Sequence, residues 1–218
     1  DLTEPEHQAL LKAMTVDGKF VSAEKSYTSI GPSIGKELKQ KAITSIILVM
    51  GAIILFIAYA FRKVSRPVSS WKYGFIAIVT LIHDIAIPTG AFALISHYSG
   101  MEIDTLFIVA LLTVLGLSVS DTIVVFDRIR ENIRNHNTSN FAETVGRSLS
   151  QTFTRSINTS LTVILVLLAL FFFGPESTKT FSLVLTVGLF FGTYSSIFLA
   201  SPLLVAVEAM QKKGNKKK

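Results

Sequence analysis

The sequence predicts an all-α polytopic membrane protein with five spanning helices, preceded by the C-terminal remnant of an extracytoplasmic α/β domain. Three observations carry this reading. Half of the 218 residues are hydrophobic and only 17% are charged, against about a quarter in a soluble domain, and the mean hydropathy is +0.52. The apolar residues fall into blocks of the roughly 20 residues that a spanning helix needs. The segments joining those blocks alternate between basic and non-basic.

Residues 1–41 hold six Lys and six acidic residues, a balance suited to a soluble segment. "TEPEHQALLKAM" places Thr3 and Glu6 at capping-box spacing with Pro5 in the first turn, which predicts a short amphipathic helix. "KFVSAEKSYTSI" alternates as a strand does, and "GPSIGKELKQKA" breaks it and starts a helix that runs into the first span. A helix and a strand are too little for an independent core, so residues 1–41 are expected to finish a larger domain. The chain begins at Asp1 rather than Met and shows no signal peptide, as expected of an N-terminus lost to processing or fragmentation.

The expected bundle occupies residues 42–207, with spans at 42–61, 73–96, 105–126, 152–174 and 181–207. The first contains no charge. The second contains His83, Asp84 and Pro88, the third Asp121, and the fourth Arg155 near its start. The fifth carries Pro202, which either kinks it or marks its end. "RKVSRPVSSWK" has four Lys/Arg and no acid, whereas "HYSGMEID" has two acids and no Lys/Arg. The connection 127–151 carries Arg128, Arg130, Arg134 and Arg147; "PESTKT" has one Lys; the tail, residues 208–218, has five. The positive-inside rule places the basic segments in the cytoplasm and residues 1–41 outside. Within the connection, Ile129, Ile133, Phe141, Val145 and Leu149 recur at helical spacing, which predicts an amphipathic helix along the cytoplasmic surface.

"SVSDTIVVFDRIREN" brings an acid into the third span before its apolar residues have ended. Asp121 precedes Asp127 by six residues, so at 1.5 Å per residue it sits roughly 9 Å inside. Arg155 reaches a similar depth on the next helix. One stripe of span three contains Val114, Ser118, Asp121, Val125 and Arg128, and one stripe of span four contains Thr152, Arg155, Thr159 and Thr162. A charge at the centre of a spanning helix costs about 2.5–3.5 kcal/mol, tolerable where two such residues meet or line a wet cavity. Two roles stay open: a permanent Asp121–Arg155 bridge, or a carboxylate that gains and loses a proton while Arg155 changes partner. Asp84, near the bilayer centre, is expected to hydrogen-bond a neighbouring helix or serve a relay, and His83 to pack. Gly116, Gly188 and Gly192 are expected to allow close helix approach.

Other chemistries find no support. Cysteine is absent, and no His/carboxylate cluster completes a metal site. Neither a nucleophile-and-base pair nor a phosphate-binding glycine loop is present, so no enzyme and no cofactor are expected. The net charge of +6 lies in short segments and the tail, a distribution that fits anionic lipid headgroups rather than nucleic acid.

The stretches "IGPSIGKELKQKAI", "LIHDIAIPTGAFALISHYSGMEIDTLFIVALLTVLGLSVSDTIVVFDRIRENI" and "TRSINTSLTVILVLLALFFFG" resemble the SecD/SecF family of protein-export membrane subunits, within the resistance–nodulation–division superfamily. The resemblance runs from about residue 30 to the tail. It implies six spans, an extracytoplasmic domain after the first, and assembly with SecD into a pseudo-twofold body of twelve helices beside the channel SecYEG. On that resemblance, the first span and most of that domain are expected to lie outside this sequence. The resemblance further implies that the proton-motive force across the bacterial cytoplasmic membrane promotes movement of unfolded preprotein. In that setting Asp121 resembles the family's proton-pathway aspartate, Arg155 its charged partner and Thr159 a hydroxyl one turn along. Asp84, His83, Ser118 and Thr162 form a possible secondary polar site. The competing readings are a small-molecule exporter of the same superfamily and a purely structural membrane subunit.

Overall fold

The computed structural model of the chain describes residues 32–60, 68–99, 103–135 and 140–215, together with residues 5, 9, 12, 13, 15, 16, 19 and 20. It divides into two compact units, Asp1–Thr44 and Ser45–Lys218. In the first, β1 (Thr15–Val16) pairs antiparallel with β2 (Lys19–Phe20), with Thr15 opposite Phe20. Pro5, Ala9, Lys12 and Ala13 are helical. The Thr3/Glu6 cap and residues 21–30 of the expected strand lie outside the described residues.

α1 (Pro32–Ala60) begins at a proline, whose missing N–H has no partner in a first turn anyway, and continues without a break into the first apolar block, as expected. α2 (Ser70–Ser99), α3 (Thr105–Asn135) and α4 (Phe141–Phe173) carry spans two to four. Asp104 caps α3, its Oδ1 accepting the Phe107 N–H at 2.8 Å. α4 ends at Gly174, whose N–H bonds the Leu170 carbonyl at 2.9 Å. A 3₁₀ turn (Glu176–Thr178) leads to α5 (Lys179–Ser195), a π-helical segment (Ser196–Ala200) and α6 (Ser201–Asn215). Among the described residues, five stretches are long and apolar enough to cross a membrane, α5 to α6 counting as one.

The structure departs from the sequence reading in the connection, and in span five it excludes one of the two expectations for Pro202, that it marks the end. The surface helix expected over 127–151 is instead the continuation of two spans. α3 runs nine residues past Phe126, and α4 starts eleven residues before Thr152. The apolar stripe explains this: Ile129, Phe141 and Val145 are buried in the bundle core, and Ile133 and Leu149 pack against it. Packed against the facing helix, the stripe is removed from water. In span five, Pro202 neither ends the helix nor breaks it. It has no N–H for the carbonyl four residues back and its ring clashes there, and the chain relieves this with one wider π turn just before it.

One core cluster gathers Tyr73, Leu81, Leu115, Phe126, Ile129 and Leu204, with Tyr73 edge-on to Phe126 at 5.2 Å. A second, towards the other end of the helices, gathers Phe92, Phe107, Leu111, Val114 and Leu185. A belt of buried hydroxyls, with the buried Asp84 and the partly buried Asp121, lies among the residues of these clusters.

Candidate functional site

That belt depends on close contact between α3 and α5. A Cβ at Gly188 would overlap the Val114 side chain, and one at Gly192 would lie 3.1 Å from the Ser118 Cβ. The two glycines, one turn apart on α5, therefore let it settle against the turn of α3 that bears the polar residues. Gly116, expected to act likewise, has open space where its Cβ would stand.

Asp121, partly buried on α3, accepts from two serines on different helices. Ser156 Oγ of α4 donates to Oδ1 at 2.6 Å, and Ser196 Oγ of the π segment donates to Oδ2 at 2.9 Å. One turn along, Ser160 on α4 and Thr193 on α5 share a hydrogen bond of 2.5 Å. Beside these lies a cavity of about 130 Å³ whose walls include Asp121, Arg155, Ser156, Thr159, Ser160 and Thr193. That volume has room for several waters, and the walls supply the polar partners that water needs.

Asp84 on α2 is fully buried. Ser118 Oγ of α3 donates to its Oδ2, Ser195 of α5 adjoins the carboxylate, and His83 Nδ1 lies 2.9 Å from Oδ1. His83, expected to pack or to join Asp84 in a secondary polar site, folds back along its own helix onto its neighbour. Its side chain is 30% exposed, while that of Asp84 is wholly enclosed.

The sequence-derived residues divide into two groups. Asp121, Arg155 and Thr159 border one cavity, and Asp84, His83 and Ser118 form one hydrogen-bonded group. Arg155 and Thr159 are exposed on α4, and Asp121 and Arg155 face the cavity without an ion pair between them. Thr162 donates to the Asn158 carbonyl of its own helix at 2.7 Å and belongs to neither group. The buried stripe of α4 is Thr144, Ser148, Thr152, Ser156 and Ser160, one residue around the helix from Arg155 and Thr159. A strict four-residue spacing of hydroxyls was the signal that could have found it. Among the described residues, no group of His, Cys, Asp and Glu is arranged to hold a metal ion.

Comparison with known proteins agrees with this architecture. The chain matches the family described as "Protein export membrane protein SecD/SecF, C-terminal" over residues 10–210. It is 51% identical over 182 residues to the protein translocase subunit SecF of Thermobaculum terrenum, covering 84% of this chain and 56% of the relative. It is 39% identical over 199 residues to SecF of Synechocystis, covering 91% and 61%. The chain thus spans about three-fifths of the length of these relatives. The crystal structure of SecDF from Thermus thermophilus, a translocon-associated membrane protein, superposes with a TM-score of 0.78 at 37% identity, covering 95% of this chain and 27% of that one.

Proposed function

The chain belongs to the SecD/SecF family of protein-export membrane proteins, and from that premise we propose that it is the membrane portion of a subunit that uses the proton-motive force to promote preprotein translocation. It works with SecD beside the channel SecYEG in the bacterial cytoplasmic membrane. A relative that carries both parts in one chain, SecDF of Thermus thermophilus, supports SecD as the partner. The alternation of basic and non-basic connections supports a cytoplasmic C-terminus and extracytoplasmic residues 1–41. The basic tail rests against anionic lipid.

The observation that carries the reading is the setting of Asp121. Its carboxylate sits on hydroxyls rather than in a closed ion pair, beside a cavity that also takes in Arg155 and Thr159. A hydroxyl can both donate and accept, so Ser156 and Ser196 suit either protonation state of the acid by rotating. A permanent bridge to Arg155 would freeze one state. One charge crossing 100 mV is worth about 2.3 kcal/mol, so several protons are used for each substantial movement of substrate.

The test uses vesicles holding SecYEG, SecD and the full-length subunit. With Asp121→Asn, gradient-stimulated completion of translocation is expected to fall to the unstimulated level while the complex still assembles. Stimulation equal to wild type would remove Asp121 from the coupling and favour the structural reading.

A further inference from the structure

We propose that Asp84, together with His83, is a second proton-binding site, joined to Asp121 through the consecutive serines 195 and 196 at the entry to the π segment. The inference deepens the proton-carrying reading of Asp121 and rests on it for its role in transport, though not for the coupling itself.

The two carboxylates are tied to the same two elements. On α3, Ser118 binds Asp84, and Asp121 follows three residues later on the same stripe. Where α5 passes into the π segment, Ser195 adjoins Asp84 and Ser196 binds Asp121. Successive side chains on a helix diverge by about 100°, so neighbouring serines can serve two acids that do not touch.

Each serine also has a second acceptor in its own helix. Ser195 Oγ lies 2.9 Å from the Gly192 carbonyl, and Ser196 Oγ lies 3.0 Å from that of Thr193. A hydroxyl has one proton to give. Towards an ionised acid it donates to the carboxylate; towards a protonated one it accepts, and turns its own proton to the carbonyl. Each serine is therefore set by the charge of the acid beside it. The backbone between the two acids is the least regular of the bundle, since the π segment begins at Ser196, and Ser201 Oγ caps the Ser196 carbonyl at 3.1 Å. Such segments recur at functional positions because their hydrogen bonding is already rearranged.

His83 shares the proton-binding site with Asp84. A single proton on the His83–Asp84 pair resides either on the ring, as an ion pair, or on the carboxyl beside a neutral ring. The imidazole, 30% exposed on the bundle's surface, lies over the enclosed Asp84, whereas Asp121 opens on the 130 Å³ cavity. Few other ionisable groups bear on the pair. Along the apolar lengths of α3 and α5 these are Asp121 and Tyr194, and Tyr194 lines a separate apolar cavity with Phe190 and Phe198. α4 contributes Arg155, across the cavity from Asp121.

The experiment is an infrared titration of the full-length subunit with its SecD partner in lipid, following the carbonyl band of protonated carboxyl groups. One titrating band is expected to disappear in Asp84→Asn and to move in Asp84→Glu, which assigns it even where the Asn variant does not assemble. In Asp121→Asn the midpoint of that band is expected to shift by on the order of one pH unit, the size of interaction at which two sites titrate as a pair. Ser195→Ala is expected to shrink that shift. A band that never titrates, or a midpoint unmoved by Asp121→Asn, overturns the proposal. Because this is an equilibrium measurement, a shifted band alongside normal translocation in Asp121→Asn would defeat the transport reading and leave the coupling standing.

Discussion

A single methyl group added at position 188 has no space to occupy, because the Val114 side chain already fills it. Valine is stiff about its first side-chain torsion and cannot swing aside. Gly188→Ala is therefore expected to destabilise the bundle by about 1–3 kcal/mol, the usual penalty of overpacking. Adding Val114→Ala should recover most of the loss by making room. Thermal unfolding of the three variants in detergent checks this, and additive losses in the double variant would show that the two residues do not share the contact. At this scale the sequence was informative about which residues are polar inside the membrane and less so about which way they turn. Asp121, Asp84 and Ser118 are apparent as polar groups in apolar runs. Ser156, Ser160, Ser195 and Ser196 are not, because a serine in a spanning helix commonly bonds its own backbone and sends no signal of a partner. Which of two stripes on α4 turns inward, that of Arg155 or that of Ser156, depends on the packing of α5.

The helices are longer than a bilayer requires, and their extensions form structure of their own. α3 has 31 residues, about 46 Å at 1.5 Å each, against a hydrocarbon core of about 30 Å. Beyond it, α3 and α4 are fastened by a buried amide: Asn132 Nδ2 donates to Ser148 Oγ and to Gln151 Oε1, each at 2.8 Å. Arg128 Nε adds a 2.7 Å bond to the same Gln151 oxygen. Asn132→Ala removes two of these bonds from a residue only 3% exposed. The expected loss is about 1–3 kcal/mol, seen as a lower unfolding midpoint, together with earlier proteolysis between α3 and α4. An unchanged cleavage rate would mean that the apolar contacts of Ile129 and Val145 alone hold the hairpin. Hydropathy located the five apolar stretches found among the described residues, but it assigned 127–151 to the surface because a polar sequence with one apolar stripe describes a membrane-surface helix and a helical hairpin equally well. The π segment left no sequence mark beyond Pro202, and a proline alone predicts a kink as readily as a widened turn.

Burial is graded across the bundle in a way that bears on what surrounds it. The apolar windows of α3 and of the α5–α6 span are 44% and 56% buried, whereas those of α4 and α1 are 17% and 6%. α3 and the fifth span therefore form the interior, and the other two leave broad apolar faces for lipid or for a partner's helices. A bundle crossing the bilayer five times puts the two ends of α4 on opposite sides, so the positions 103 and 176 should share one face of the membrane and 135 and 213 the other. These 218 residues contain no cysteine, so once any cysteine elsewhere in the subunit is replaced, single cysteines report without background. In the full-length subunit, Ile103→Cys and Glu176→Cys, both exposed, are expected to react with an impermeant maleimide added outside intact cells. Asn135→Cys and Lys213→Cys, also exposed, should react only after the membrane is opened. Labelling of 135 and 176 from the same side would mean that α4, despite its 33 residues, does not cross. The alternative arrangement, with 135 and 213 outside, would place four arginines of the 127–151 connection on the wrong side of the charge rule. It would also reverse the direction in which a proton arriving from outside meets the turn of α3 that binds Asp84 before the turn that bears Asp121.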